Sequence, residues 1–464
     1  AVLAGLAAAG SAQAVHVNTD GLGQVLLYPY YTVQNGFDTY VHVVNTTDTV
    51  KAVKVRFLEG KNSKEVLDFN LYLSPNDEWT GVITKTDTGA QLTSADTSCV
   101  APATLANGVA FRNFEYSTDT LNTLERTREG YIEVIEMGVI VDSVLAAAAT
   151  HTSAGVPANC DVIRTAAKTG GVLNDNGAEI DPPEGGLYGF NSLINVAGGM
   201  KSSVDATALD NFVTADSIHN APGNTAPSLS DGDTDAVIVN GATVVNFAGV
   251  PAIDNVSAVL MRDMVTNDYV VDADRDSKTD WVVTFPTKRF YVNGAVVEAP
   301  FSRVWNSVAG TSCDDIGVTY YDREEQNHIV TVDEDFSPKP PTVVESNQLC
   351  NEVNTLTVKP HGADSTYVGL FGAEFTDASF SLADGFQYGW MSINLTHAAD
   401  PLAVPAIPAS ILSDGSNDLN GLPVIGFAAV SNTNGTMAVD GVNVLSNYMG
   451  TTAHKSTRDI TLTP

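Results

Sequence analysis

The chain has 464 residues, of which 44% are hydrophobic, so it can bury one large core or two to three ordinary ones. It carries 23 Lys and Arg against 55 Asp and Glu, a formal net charge of −32. A field of this sign repels nucleic acid and anionic lipid and favours divalent cations, so nucleic acid is excluded as a partner.

The N-terminal residues have the pattern of a truncated secretory signal. Residues 1–9 are Ala, Val, Leu and Gly, and Ala12–Ala14 forms an A-x-A cleavage site. We predict a signal peptide over 1–14, a mature chain from Val15, and export to the cell surface or the extracellular space, with the periplasm less favoured. A buried N-terminal helix is the alternative. No other stretch approaches the roughly 18–20 apolar residues of a transmembrane helix, so we predict no transmembrane segment.

Period-two alternation marks the first strands. In KAVKVRF, residues 51–57, apolar side chains alternate with Lys54 and Arg56, and LDFNLYL, residues 67–73, repeats the pattern. Such strands have one buried and one solvated face, and their short spacing is typical of an immunoglobulin-like sandwich.

Turn and helix signals complete the fold prediction. Asn-Gly pairs at Asn240 and Asn293, each between strand-type residues, predict β-hairpins. Short helices are expected over 141–151, capped by Asp142, and over 204–218. We predict an all-β, mainly antiparallel, immunoglobulin-like β-sandwich with a few short helices and long loops.

Two segments rich in Pro, Gly, Asn and Asp, residues 173–186 and 220–235, are predicted loops or linkers. The first is the preferred boundary between an N-terminal β-sandwich domain, 15–180, and a C-terminal β-rich domain, 187–464. The alternative is one large sandwich over 15–464 with both segments as surface insertions.

The cysteines are Cys99, Cys160, Cys313 and Cys350. They form no C-x-x-C pair and have no His at metal-ligand spacing, which disfavours a zinc site. An even count in an exported protein indicates disulfides. Of the three pairings, 99–160 with 313–350 is favoured because both loops stay local.

A calcium site is the sharpest metal hypothesis. Asp272, Asp274, Asp276 and Asp280 occupy positions 1, 3, 5 and 9 of an EF-hand-like loop, but Ser277 replaces its Gly and Val283 its bidentate Glu. A solvated acidic hairpin is the alternative. Two weaker acidic candidates are residues 231–235 and 333–335.

Catalytic signatures are missing from the sequence: it has no G-x-S-x-G, H-E-x-x-H, Walker or G-x-G-x-x-G motif. Paired acids such as Glu133 and Glu136 leave a glycan-active hydrolase or lyase as a third-ranked hypothesis. A sugar-stacking platform or ordinary core packing could explain the aromatic residues Tyr28, Tyr30, Tyr31, Trp79, Trp281, Trp305 and Trp390.

Four runs carry a family resemblance: GQVLLYPYYTVQNG, VKVRFLEGKNSKEVLDFNLYLSP, TDWVVTFPTKRFYV and YYDREEQ. Together they resemble exported, β-rich cell-surface proteins of Gram-negative bacteria that have no assigned activity. The resemblance implies export and residence at the cell surface or in the matrix. It implies no catalytic residue and lends no support to the calcium loop.

The leading functional hypothesis is a non-enzymatic, disulfide-stabilised structural or adhesive protein of the cell surface or extracellular matrix that self-assembles into a homo-oligomer or filament. Residues 15–24 are one candidate for a strand donated to a neighbouring copy. The alternative is a module that binds carbohydrate or another surface polymer, with Ca²⁺ as its cofactor. No catalytic residue and no other cofactor is predicted.

Overall fold

The computed structural model describes residues 14–174, 177–294, 296–329, 348–399 and 408–462. It is mostly β, with 47% strand and 10% helix, which confirms the all-β prediction. The ladders of the described residues are antiparallel except for the parallel pair β26–β27.

The strands up to Asp210 are β1 His16–Val17, β2 Val25–Thr32, β3 Asp38–Asn45, β4 Val50–Glu59, β5 Glu65–Leu73, β6 Glu78–Lys85, β7 Ala90–Thr93, β8 Cys99–Ala101, β9 Val109–Ala110, β10 Glu129–Ile140, β11 Ile180–Asp181, β12 Leu187–Asn195, β13 Met200–Asp205 and β14 Thr207–Asp210. They form two sheets. The first sheet has the order β1-β14-β2-β10-β4-β5-β8, with β11 beside β10, and the second has the order β13-β12-β3-β6-β7-β9.

The later strands are β15 Asp235–Asn240, β16 Thr243–Ala248, β17 Met261–Arg262, β18 Met264–Val270, β19 Lys278–Thr284, β20 Val292–Asn293, β21 Val296–Val297, β22 Asp314–Asp315, β23 Gly317–Asp322, β24 Asn327–Ile329, β25 Gln348–Leu349, β26 Val353–Lys359, β27 Asp377–Ser381, β28 Tyr388–Asn394, β29 Ile411–Ser413, β30 Asn417–Asn420, β31 Leu422–Pro423, β32 Ile425–Val439, β33 Val442–Ala453, β34 Lys455–Thr457 and β35 Asp459–Leu462. The third sheet is β27-β26-β19-β32-β33 and the fourth is β24-β23-β28-β18-β34. The short remaining strands form small two- and three-stranded ladders.

The four large sheets stack face to face. Phe57 of the first sheet and Trp79 of the second share one core, and Trp281 of the third sheet and Ile393 of the fourth share another. Between the first and third sheets, a further apolar cluster includes Tyr30, Tyr131, Val282, Phe371 and Phe427. The first and third sheets are therefore packed on both faces.

The strands cross the predicted domain boundary. β12 begins after residues 173–186 yet pairs with β3, from Leu187 opposite Asn45 to Ile194 opposite Asp38. Within that segment, β11 pairs with β10 and the backbone N–H of Gly185 donates to Glu136. Residues 173–186 therefore pack against and pair with the first sheet. They do not separate the first and second sheets from the third and fourth.

The second face of β4 corrects the predicted solvated face. All 10 residues of β4 are buried. Charged side chains on this face are compensated by ion pairs, as buried charges must be. The pairs on this face are Lys54–Asp68 and Arg56–Glu65 at 2.7 Å. Lys51, which lies on the other face of β4, pairs with Glu136 at 2.8 Å.

The predicted loop 220–235 covers this charged face. Lys54 donates to the carbonyl of Asn224 at 2.7 Å, and Arg56 donates to that of Pro227 at 3.2 Å. The carbonyl groups of an irregular segment are not all paired with another strand, so they can accept hydrogen bonds from buried cations. The carbonyl groups of a further β-sheet would already be paired.

The helices are α1 Ser143–Ala149, α2 Cys160–Ala167, α3 Ala252–Leu260 and α4 Lys288–Tyr291, with 3₁₀ turns at Phe114–Tyr116, Leu124–Arg128, Val172–Asn174 and Ala273–Arg275. The cap of α1 is confirmed: Asp142 accepts from the backbone N–H groups of Val144 and Leu145. The helix predicted over 204–218 is wrong. Its first part is strand β14, which pairs with β1 and β2, so long-range pairing overrides local helix propensity.

Both Asn-Gly hairpins form, as β15–β16 and β20–β21. In the first, Asn240 pairs with Thr243, so the turn lies at residues 241–242, one position later than Asn-Gly itself. Gly241 takes the positive φ of +61° that this turn requires.

The predicted disulfides are present. Cys99–Cys160 joins β8 to α2, and Cys313–Cys350 joins the residue before β22 to the residue after β25. Such bonds persist in oxidising compartments. Among the described residues, none of the helices has the length and apolar character needed to cross a membrane. The predicted signal, except Ala14, lies outside the described residues.

Candidate functional site

The predicted calcium loop is occupied by internal partners. Asp272 accepts from the backbone N–H of Asp274 at 2.9 Å and contacts the side chains of Arg275 and Tyr388. The hydrogen bond from Tyr388 is the main cause that lowers the pKa of Asp272, and Arg275 adds to it. One carboxylate of the proposed ligand set is therefore already neutralised by a cation of the loop itself.

The other acids of this loop diverge. Asp274 and Asp276 are exposed in the turn, whereas Asp280 is buried in β19 and accepts from the backbone N–H of Phe371 at 2.8 Å. Burial raises the pKa of Asp280. Over the described ranges, no three His, Cys, Asp or Glu side chains gather in a geometry that could hold a metal ion. Calcium binding at this loop stays a prediction.

The weaker acidic candidates are likewise engaged or lie elsewhere. Asp233 accepts from the backbone and hydroxyl of Thr214, at 3.0 and 2.6 Å, and residues 333–335 lie outside the described residues. Glu133 and Glu136 are fully buried on β10, where Arg289 holds the first at 3.0 Å and Lys51 the second. These two acids act as ion-pair partners in the interior.

The predicted aromatic platform is not assembled. Five of its members are buried in the cores: Tyr28, Tyr30, Tyr31, Trp79 and Trp281. Trp305 is half-buried, and Trp390 is 42% exposed on β28. Strands that are packed on both faces bury every aromatic side chain they carry. The alternation pattern had predicted one solvated face and so did not reveal this burial.

The most unusual surface belongs to β32 and β33. We call residues 434–445, the outer part of this hairpin, the ribbon. Every residue of the ribbon is exposed. β19 pairs with β32 only over Ile425–Ser431, so beyond that point each strand of the ribbon pairs with the other alone. At about 3.3 Å per residue, the ribbon extends about 20 Å beyond the sheet.

The ribbon turns at Asp440 and Gly441. Their φ angles are +51° and +81°, as a two-residue turn with both central residues in the left-handed region requires. Asp-Gly is one of the dipeptides that tolerate this geometry, and it sits between Val439 and Val442, which pair directly.

The two faces of the ribbon differ. Opposed residues of an antiparallel pair lie on the same face, and Met437 opposes Val444 just as Val439 opposes Val442. These four side chains form an apolar face, and their exposed fractions are 53% for Met437, 38% for Val444, 46% for Val439 and 63% for Val442. The opposite face carries Thr436, Ala438, Asn443 and Leu445.

The ribbon carries one charged side chain, Asp440 in its turn, and none along its strands. From Ile425 to Ala453 the sequence contains one charged residue, Asp440, in a chain that is 17% charged. Natural proteins usually protect open strand edges with charge, proline or a covering element. The ribbon has open edges without this protection along its strands.

The base of the hairpin is firmly attached. Thr451 of β33 donates to the carbonyl of Ser203 in β13 at 2.7 Å, and Asn447 donates to the carbonyl of Gly198 at 2.7 Å. The attachment to the second sheet fixes the direction in which the ribbon projects. A rigid base presents the ribbon as a preformed surface.

The described residues thus define an all-β, sandwich-like protein with two disulfides and a projecting hairpin whose strands carry no charge. Comparison of the chain with models of protein families, with curated proteins and with solved structures found no match. Sequence reasoning missed the ribbon, although the alternation in TMAVDGVNVL, with a single charged residue at its Asp-Gly turn, could have identified it.

Proposed function

We propose that this protein is an exported, non-enzymatic structural or adhesive component of a cell surface or extracellular matrix, and that it self-associates through the ribbon. The observation that carries the proposal is the four-residue apolar face on a β-ribbon whose strands carry no charge and whose two edges are open. Clusters of exposed apolar side chains mark interaction sites.

Two copies can bury the apolar face against each other. In such an isologous contact, Met437, Val439, Val442 and Val444 of one ribbon pack on the same four residues of the second, which closes a dimer. Alternatively, the open edges accept a strand and extend the sheet between copies, which propagates a filament. Both modes need ribbon strands without charge, because a charge at the contact would lose its hydration without a partner.

The acidic surface complements this arrangement. A net charge of −32 keeps copies apart except where a local attraction exceeds the repulsion. Since salt screens exposed charges over about 8 Å at physiological ionic strength, association through the ribbon should strengthen as salt is raised. Export is supported by the two disulfides.

The N-terminal segment is less suited to donate a strand. His16–Val17 already pairs with Leu209–Asp210 of its own chain, and Val15 is buried. Donation would break these contacts, whereas the ribbon is free on both edges in the described part of the chain.

The test is the mass of the chain from Val15, measured by light scattering after size exclusion between about 1 and 100 μM. A shortened variant, with Asn-Gly joining Thr433 to Asn447, removes the ribbon and keeps the attached base. We expect concentration-dependent oligomers for the parent chain and a monomer for the variant. A parent chain that stays monomeric throughout, or a variant with unchanged oligomers, contradicts the proposal.

A second candidate function is binding of a surface polymer, favoured by one aromatic pair. The rings of Trp390 and Tyr321 stack at 4.3 Å and 9° on the outer side of the fourth sheet. Beside them, Arg323 lies 4.6 Å from the ring centre of Tyr388. An exposed aromatic edge on a flat sheet can stack on a sugar ring. Loss of polysaccharide retention in Trp390→Ala, but not in Tyr40→Ala on another sheet, would support this function.

A further inference from the structure

A cavity of about 430 Å³ is lined by residues from both the N-terminal and the C-terminal parts of the chain. Its walls come from the turn between β4 and β5, from the region of α4, and from the second disulfide. Its lining contains Arg56, Lys61, Lys64, Lys288 and Arg289. Such a concentration of cations stands out in a chain with more than twice as many acidic as basic residues.

Three of these cations have carboxylate partners outside the lining. Arg56 pairs with Glu65, Lys288 with Asp314 at 2.8 Å, and Arg289 with Glu133 at 3.0 Å. Over the described ranges, Lys61 and Lys64 form no ion pair with any carboxylate. The ammonium group of Lys61 donates to neutral acceptors, the side chain of Asn351 at 3.3 Å and the carbonyl of Phe375 at 3.4 Å. The carboxylates of Glu59, Asp377 and Glu129 act on this charge without a direct ion pair. These two lysines therefore contribute positive charge to the cavity that no carboxylate contacts directly.

The acids of the lining cancel only part of this charge. Asp119 pairs with Arg126 at 3.0 Å, and Glu115 accepts from the backbone N–H of Glu65 at 2.9 Å. Glu352 is 3% exposed, and its Oε2 atom has no hydrogen-bond partner among the described residues. Burial raises the pKa of Glu352 to about 8, so its carboxyl is largely protonated at neutral pH and can donate a hydrogen bond.

The remaining walls are suited to a ring with hydroxyl groups. Trp305 and Phe290 provide flat apolar surface, and Arg289 stacks on Phe290 at 4.7 Å. Asn62, Ser63 and Ser312 add neutral hydrogen-bonding groups. A volume of this size is within the range of small-molecule sites.

We propose that this cavity binds an acidic sugar, a carboxylate-bearing ring whose carboxylate lies against Lys61 and Lys64 and whose ring face lies against Trp305. The cations supply attraction, the protonated Glu352 can donate to an oxygen of the ligand, and the neutral groups match the ring hydroxyls. This site is separate from the ribbon, so ligand binding and self-association can be measured independently.

Isothermal titration calorimetry of the folded chain with glucuronate tests the proposal, with glucose and acetate as comparison ligands. Lys64→Gln removes one uncompensated charge, Trp305→Ala removes the ring surface, and Lys85→Gln is the matched control, an exposed lysine at the end of β6. Near-UV circular dichroism confirms that each variant is folded.

We expect saturable binding of glucuronate that Lys64→Gln weakens about tenfold, the usual effect of losing one charged hydrogen bond. Trp305→Ala should also weaken binding, and Lys85→Gln should not. Absence of glucuronate binding by the folded parent chain overturns the proposal. Equal affinity for glucose overturns the role of the cations, and equal affinity for acetate overturns the assignment to a sugar.

Discussion

Replacement of Val442 and Val444 by lysine tests whether two copies associate through the apolar face of the ribbon. The two side chains are 63% and 38% exposed, so about half of each valine is available to a partner. Because burial of a whole valine stabilises by roughly 2 kcal/mol, each contributes about 1 kcal/mol at a contact. In a symmetric dimer both copies change, so the loss is about 4 kcal/mol, a Kd about a thousandfold higher.

The control adds the same charges to the other face. Thr436 and Asn443 belong to the more polar face of the same ribbon. Thr436→Lys with Asn443→Lys therefore reproduces the change in net charge and the exposure of the lysines without touching the apolar face. Sedimentation velocity at several concentrations gives the Kd of each variant at one ionic strength.

Association through the apolar face predicts a clear difference between the two double variants. We expect the Val442/Val444 variant to be monomeric at concentrations where the control still associates. Equal weakening in both would refute packing through the apolar face and favour edge pairing or simple repulsion. Unchanged association in both would refute the ribbon as the contact.

Further predictions concern the free energy of unfolding, which chemical denaturation measures in each case. Lys51→Met should lower the free energy of unfolding by about 3–5 kcal/mol because Glu136 keeps a buried, unpaired charge; recovery should follow if Glu136→Gln is added, and an additive second loss would contradict the pairing. Burial raises the folded-state pKa of Glu352 from 4.5 to about 8, so the native state holds a proton that the unfolded state releases. Wild-type stability should therefore fall between pH 5 and pH 8 relative to Glu352→Gln, by up to about 1.4 kcal/mol per pH unit; parallel profiles would refute the shift. Removal of the Cys99–Cys160 bond, which closes a loop of 61 residues, should cost about 4 kcal/mol, and a loss below 1 kcal/mol would show that the unfolded chain gains little freedom.

Local patterns predicted those parts of the fold that neighbouring residues determine. The alternation in 51–57 and 67–73 identified β4 and β5, and Asp142 identified the start of α1. The helix expected over 204–218 failed because strand β14 gains its partners, β1 and β2, from distant parts of the chain. Local propensity carries no information about such partners.

The candidate sites show the same difference between what local patterns predict and what distant parts of the chain decide. The spacing of Asp272 to Asp280 predicted a cation loop, but a strand carries Asp280 into the interior. The cavity draws Lys61 and Lys64 from one turn and Lys288 and Arg289 from helix α4, far apart in sequence. A cluster assembled from separate segments has no spacing to recognise.

The sequence by itself determined the β character, the disulfide partners and the acidic surface, because alternation, cysteine order and composition act over short range or as totals. Only the tertiary structure decided which faces are buried and which surfaces are free. The irregular segment 220–235 covers the first sheet and buries Lys54 and Arg56, which alternation assigned to water. Conversely, the ribbon is left uncovered because the pairing of β32 with β19 ends at Ser431. No other described strand pairs with β32 beyond that residue except β33.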